Sequence, residues 1–265
     1  MYISNNLDKI IETWVNNKIQ NYKKFSNRIF VGQSIIDVNP LWIFEYKNKI
    51  FLSVQNNVKN EIIHLIENIH RDFLFSDYGK FEIAKITHKY HYYVWGPSWI
   101  MFAEENDWND IDLHKVEILN SSEIKDQLDF NFFWHNYSDC LKGFAIKMNN
   151  KIIACATLKD VGGGFVEIGV DVDTKLNIPG LGSSIYSAAG RWAFDKNYIP
   201  FSSVGPWNVP STRTQMKCGM KFIGTDMTSI DKFKIAPQTL GSPANEINIY
   251  DYYPEWGFNK NIIKT

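Results

Sequence analysis

Apolar positions along the chain follow two spacings, and the points where one gives way to the other mark its elements. Leu7, Ile10, Ile11, Trp14, Val15 and Ile19 recur three and four residues apart, the apolar face of an opening amphipathic helix. Residues 28–36 and 41–54 read as strands, and Lys47-Asn48-Lys49 divides the second into two apolar runs joined by a hairpin turn. Residues 60–71 (NEIIHLIENIHR) return to helical spacing, and residues 81–102 to a strand pattern dense in Tyr and Trp. Residues 104–112 (EENDWNDID) carry five acidic side chains and no basic one, which predicts a solvated loop or junction. Asn120 followed by Glu123 has the spacing of a capping box and opens a helical stretch reaching about His135.

The second half is punctuated more sharply. Residues 143–148 and 151–158 are strands joined at Asn149-Asn150, and Gly162-Gly163-Gly164 turns the chain into a further strand, FVEIGVDV, at residues 165–172. A loop through Pro179-Gly180-Leu181-Gly182 leads into a helix at residues 183–197. A strand at 201–204, a helix at 211–217 ended by Gly219, and strands at 221–224 and 246–250 complete the order. The change of composition places a boundary near residue 112. A divergent α/β segment, 1–112, thus precedes a second α/β domain, 113–265.

Charge and cysteine content narrow the function. With 28 basic and 29 acidic residues the formal net charge is −1, so no global field holds a nucleic acid. Three widely spaced cysteines (Cys140, Cys155 and Cys218) fit neither a disulfide framework nor a metal site and read as buried thiols of a cytoplasmic protein. No signal-peptide run opens the sequence, and its longest charge-free aromatic stretch, near 91–103, is too short for the roughly 20 residues of a membrane span. No metal is expected. His88 and His91 lack a Cys or carboxylate partner at ligand spacing and read as ordinary histidines.

The chemistry concentrates around the glycines at 180 and 182. A Gly-rich turn at a helix N-terminus presents unpaired backbone N–H groups and the positive end of the helix dipole, both suited to a phosphate. The loop Asn177-Ile178-Pro179-Gly180-Leu181-Gly182 lacks the Lys of a Walker motif and the third Gly of a dinucleotide fingerprint. Downstream, WNVPSTRTQMKCGMKFIG sets Asn208, Ser211, Lys217 and Gly219 in the order N-x-x-S-x-x-x-x-x-K-x-G. Strand, glycine loop, helix, strand and this second motif together resemble the C-terminal half of the GNAT N-acetyltransferase superfamily, over about residues 130–224. EIGVDV and LKGFAIKMNNKIIACA are similar to the branch that includes zwittermicin-resistance acetyltransferases.

That resemblance implies a mixed, mainly antiparallel sheet with flanking helices. It also implies acetyl-CoA as co-substrate and direct attack by a primary amine of a small molecule or peptide, with no metal, nucleic acid or membrane as partner. The pantetheine arm would run along Val170, Asp171 and Val172, the pyrophosphate would rest on Gly180, Leu181, Gly182 and Ser183, and Asn177, Asn208 and Ser211 would complete the cofactor side. Glu167 matches the family's acidic position and would take the amine proton; its alternative is a strand-end carboxylate paired with a lysine. Three positions depart from the pattern. Asn177 replaces Arg or Gln, Pro179 removes one N–H from the cradle, and Gln215 stands where many relatives have a Tyr. These departures leave open a CoA-binding or sensing module without turnover. A tandem aminoacyl-tRNA-dependent transferase is disfavoured by the near-neutral charge.

Overall fold

A computed structural model describes residues 5–34 and 41–230. They form α1 (Asn5–Lys18), β1 (Ile19–Lys24), β2 (Ile29–Ser34), β3 (Leu41–Tyr46), β4 (Lys49–Val54), α2 (Asn56–Asn68), α3 (Arg71–Leu74), α4 (Asp77–Thr87) and β5 (Tyr93–Phe102). There follow β6 (Glu117–Leu119), α5 (Ser121–Gln127), β7 (Lys142–Met148), β8 (Lys151–Gly162), β9 (Phe165–Val172), α6 (Leu181–Asp195), β10 (Ile199–Val204), α7 (Val209–Lys217) and β11 (Lys221–Ile230). The strand expected at 246–250 lies outside the described residues.

All the strands belong to one sheet of eleven, ordered β1-β2-β4-β3-β11-β5-β10-β9-β8-β7-β6. Only β2/β4 and β10/β9 pair in parallel; every other neighbour is antiparallel, giving the mixed, mainly antiparallel α/β fold. Strands from either side of residue 112 interleave. β11 lies between β3 and β5, and β5 lies between β11 and β10.

Side-chain alternation assigns the layers. Val166, Ile168, Met101 and Val204 pack with Leu181, Ile185 and Ala189 of α6. Their strand neighbours Phe165, Phe102 and Phe201 pack on the opposite face against Leu7, Ile11 and Trp14 of α1. The Trp14 ring is the centre of that layer, meeting Trp42, Phe44, Phe102 and Phe201 edge-on at centroid separations of 5.2–5.7 Å. Ile43, Leu52 and Met227 form a further core with α2 and α4.

Several sequence expectations are corrected. The apolar run ending at Ile19 crosses an element boundary: the helix stops at Lys18 and Ile19 begins β1. Residues 81–87 are helix rather than strand. Ser76 caps α4 by accepting from the Gly79 amide, and aromatic content does not outweigh that start signal. The helix after Asn120 ends at Gln127, and residues 128–141 run irregularly. The acidic segment near 104–112 is no free loop, because Trp108 is buried against α6 and its indole donates to the Ser187 carbonyl at 3.2 Å. Ile111 N and Leu113 N bond the hydroxyls of Ser187 and Ser184, so this segment straps the helix. The hairpin turns at Lys47-Asn48 and Asn149-Asn150 are present, all four residues with φ of 46–64°.

Candidate active site

The parallel pair β9/β10 runs for only three residues. Ile199 faces Phe165, Pro200 faces Val166 and Phe201 faces Glu167, and there the pairing ends, although β9 continues to Val172 and β10 to Val204. Beyond Glu167, β9 keeps β8 as neighbour on one side and, among the described residues, has no strand on the other. The splayed strands are bridged by Ser202, whose hydroxyl reaches the Ile168 carbonyl at 3.4 Å and the Tyr186 hydroxyl at 2.6 Å. The main chain of Val170, Asp171 and Val172 therefore lines the wedge as an open strand edge, able to pair with an extended ligand.

The N-terminus of α6 closes the wide end of the wedge. Gly180 is its N-cap at φ 85°, a left-handed conformation that costs glycine least, and it offers no capping side chain. The amides of Leu181, Gly182 and Ser183 come before the first intrahelical acceptor, and no acidic residue occupies the first turn. A Cβ on Gly182 would lie 3.7 Å from both Val172 Cγ1 and Thr214 Oγ1, so this turn meets β9 and α7 directly. Asn177 is left-handed at φ 48° and exposed; Pro179 O lies 2.8 Å from His114 Nε2.

The second motif builds the start of α7. Asn208 caps it, its side-chain oxygen accepting from Ser211 N at 3.3 Å. Ser211 Oγ in turn accepts from Gln215 Nε2 at 3.1 Å. Gln215 is 2% exposed and its Oε1 has no partner among the described residues. This amide has no acidic proton to give a leaving thiolate.

Beyond Phe165, the face of β9 away from α6 is polar. Glu167, Gly169 and Asp171 alternate along it, and residues 133–137 lie across it. A Cβ on Gly169 would stand 2.0 Å from the His135 carbonyl oxygen, a closeness that only glycine permits. The Tyr137 phenol lies near the Glu167 carboxylate; burial, then that negative charge, raise the phenol well above its ordinary range. Asp171 faces the same segment. Its Oδ2 accepts from His135 N at 2.8 Å and Asn136 Nδ2 at 3.1 Å, and its Oδ1 lies 2.5 Å from His135 Nδ1. Farther across this face, Asp226 of β11 accepts from Trp42 Nε1 at 2.9 Å. Burial pushes the Asp226 carboxyl up to about 6; the Trp42 bond and the charge of Lys18 oppose the rise, and the charge of Glu167 adds to it.

The structure thus brings Glu167, Val170, Asp171 and Val172 onto one strand, with Gly180, Leu181, Gly182 and Ser183 at its open end. Asn208 and Ser211 begin the next helix, and Asn177 stands outside on the surface. Sequence reasoning missed His135, Tyr137 and Asp226. His135 precedes Asp171 by 36 residues with no motif to connect them; the alternation of acidic residues on β9 was the one signal that its far face is polar. The cysteines are buried free thiols, with Cys218 pushed up to about 12 by burial. Among the described residues no group of His, Cys, Asp and Glu is placed to hold a metal, and no helix is long and apolar enough to cross a membrane.

No protein-family model matches the chain, and no curated protein matches it in sequence. Solved structures resemble it in shape. A GCN5-related N-acetyltransferase from Kribbella flavida is 14% identical, with 85% of this chain and 95% of that one covered at a TM-score of 0.45. A GCN5-related N-acetyltransferase-like protein from Streptococcus suis is 11% identical over 71% and 81% of the two chains, with a TM-score of 0.45. An acetyltransferase from the GNAT family of Colwellia psychrerythraea is 11% identical over 51% of this chain, at a TM-score of 0.43. The match covers 56% of that protein's length.

Proposed function

We propose that this chain is an N-acetyltransferase of GNAT type, moving the acetyl group of acetyl-CoA to a primary amine of a small molecule or peptide by direct attack. The observation that carries the reading is the end of β9/β10 pairing at Glu167, with an uncapped, glycine-initiated helix at the mouth of the wedge. An extended pantetheine arm matches the open edge at Val170, Asp171 and Val172, and a pyrophosphate matches the amides of Gly180, Leu181, Gly182 and Ser183. Asn208 and Ser211 hold the start of α7 beside them. The acceptor would enter on the far face of β9, where Glu167 stands at the apex and proton removal falls to the polar groups of that face. Orientation of amine and thioester supplies most of the acceleration.

Calorimetry with acetyl-CoA tests the reading. Ligand at ~100 times Kd should stabilise the protein by about 2.7 kcal/mol, and Gly182→Trp should abolish the heat while the protein stays folded. Absence of any response to millimolar acetyl-CoA or CoA would overturn it. Gln215 favours one second reading, a CoA-binding module without turnover. Binding of acetyl-CoA with no release of CoA across a broad amine panel would select it.

A further inference from the structure

We infer that His135, positioned by Asp171, is the group that takes the proton from the acceptor amine; this rests on the acetyltransferase reading above and specifies its proton-transfer step. The Asp171 side chain is 2% exposed and that of His135 33%, so a carboxylate sealed beneath the loop carries an imidazole that reaches solvent. Both Asp171 oxygens are committed, Oδ2 to two N–H donors of residues 135–136 and Oδ1 to His135 Nδ1. An ionised carboxylate only accepts, so the network assigns the ring proton to Nδ1 and leaves the lone pair of Nε2 for a substrate. The Trp134 ring, with its centroid 3.6 Å from that of His135, holds the imidazole plane.

Position favours the same assignment. The His135 carbonyl rests on Gly169, within the stretch of β9 that has left its parallel partner, so the dyad stands beside the unpaired edge. Glu167 lies at the apex, where its charge acts on the Tyr137 phenol. Two buried polar atoms next to the dyad, Trp134 Nε1 and Asn136 Oδ1, have no partner among the described residues; the Asn136 side chain belongs to a residue only 6% exposed.

Nε2 of neutral His135 takes one proton from the substrate ammonium, and the freed amine lone pair attacks the acetyl carbonyl carbon. As the C–N bond forms and the C–S bond breaks, the sulfur leaves with the bonding pair, and the remaining extra proton on nitrogen passes to that thiolate. The His135 imidazolium, stabilised by ionised Asp171, returns its proton to water. Asp171 is a positioning residue: it holds the tautomer and does not touch the amine.

The test begins with wild-type protein and acetyl-CoA in a calorimeter, then measures CoA release with spermidine and tyramine as amine probes. For His135→Gln we expect acetyl-CoA affinity within about threefold of wild type and kcat lower by about 100-fold or more, the usual range for a lost general base. His135→Gly should regain turnover on adding imidazole, whereas Asp171→Asn should lose turnover and gain nothing from imidazole. An unchanged kcat in folded His135→Gln overturns the inference, as does a loss that imidazole does not restore. If neither probe is acetylated, the imidazole Cε1–H resonance of His135, assigned by its absence in His135→Gln, decides. It should shift on saturation with acetyl-CoA, and a resonance that stays fixed while the calorimeter records binding overturns the dyad's role alone. Absence of binding in wild type overturns the acetyltransferase reading and this inference with it.

Discussion

The two faces of β9 are built from the same eight residues and do different work. Val166, Ile168, Val170 and Val172 present branched apolar side chains to α6, an arrangement driven by removal of apolar surface from water. Glu167, Gly169 and Asp171 present two carboxylates and a gap to residues 133–137, an arrangement held by directional hydrogen bonds. The first face fixes where the strand lies; the second places charge at the point where the strand loses its parallel neighbour. A single period-2 strand thus separates stability from chemistry, and perturbing either face should leave the other's signature recognisable.

The largest effect should come from closing the gap between the faces. Gly169→Val puts a Cβ 2.0 Å from the His135 carbonyl, so the loop must be displaced. Urea denaturation should show a loss of at least about 3 kcal/mol together with loss of turnover. Truncating the apolar face, Ile168→Ala, should cost about 2–4 kcal/mol while folded protein keeps a wild-type Kd for acetyl-CoA within severalfold. A comparable stability loss from Glu167→Gln would break the contrast between the faces.

Asp226 offers a pH-dependent version of the comparison. Its folded pKa, about 6, lies above the ordinary 3.8 of a free aspartate, so the native state binds the proton more tightly and stability falls as pH rises through about 6. Asp226→Asn should therefore be more stable than wild type at pH 8, by roughly 3 kcal/mol given about 1.36 kcal/mol per pKa unit, with the gain vanishing below about pH 4. A gain independent of pH would refute that origin. The smallest stability change belongs to Glu167→Gln, within about 0.5 kcal/mol, with kcat reduced less than in His135→Gln because the His135–Asp171 pair is untouched.

Local signals in the sequence were good guides to local structure. The glycine turn, β9 itself, the capping box at Asn120 and the hairpins at Asn48 and Asn150 all follow from residue types within a few positions of one another. Residues 81–87 were misread because their aromatic content resembles a strand, while the deciding Ser76 cap lies outside the apolar run. Trp108 looked solvated because its acidic neighbours dominate composition, and its burial depends on serines some 79 positions later. The dyad was out of reach for the same reason. His135 and Asp171 meet through tertiary packing, and a histidine in a run of aromatics carries no sign of its partner.

The place of β11 between β3 and β5 has a consequence for biosynthesis. As the chain emerges, β3 has β4 on one side and bare main chain on the other, and β5 is bare on both sides until residues 199–204 and 221–230 arrive. For well over a hundred residues of synthesis the nascent protein therefore carries unpaired strand edges of the kind that template aggregation. A fragment ending near residue 112 would keep those edges permanently. Among the described residues, the last strand to be made is the one that joins the sheet.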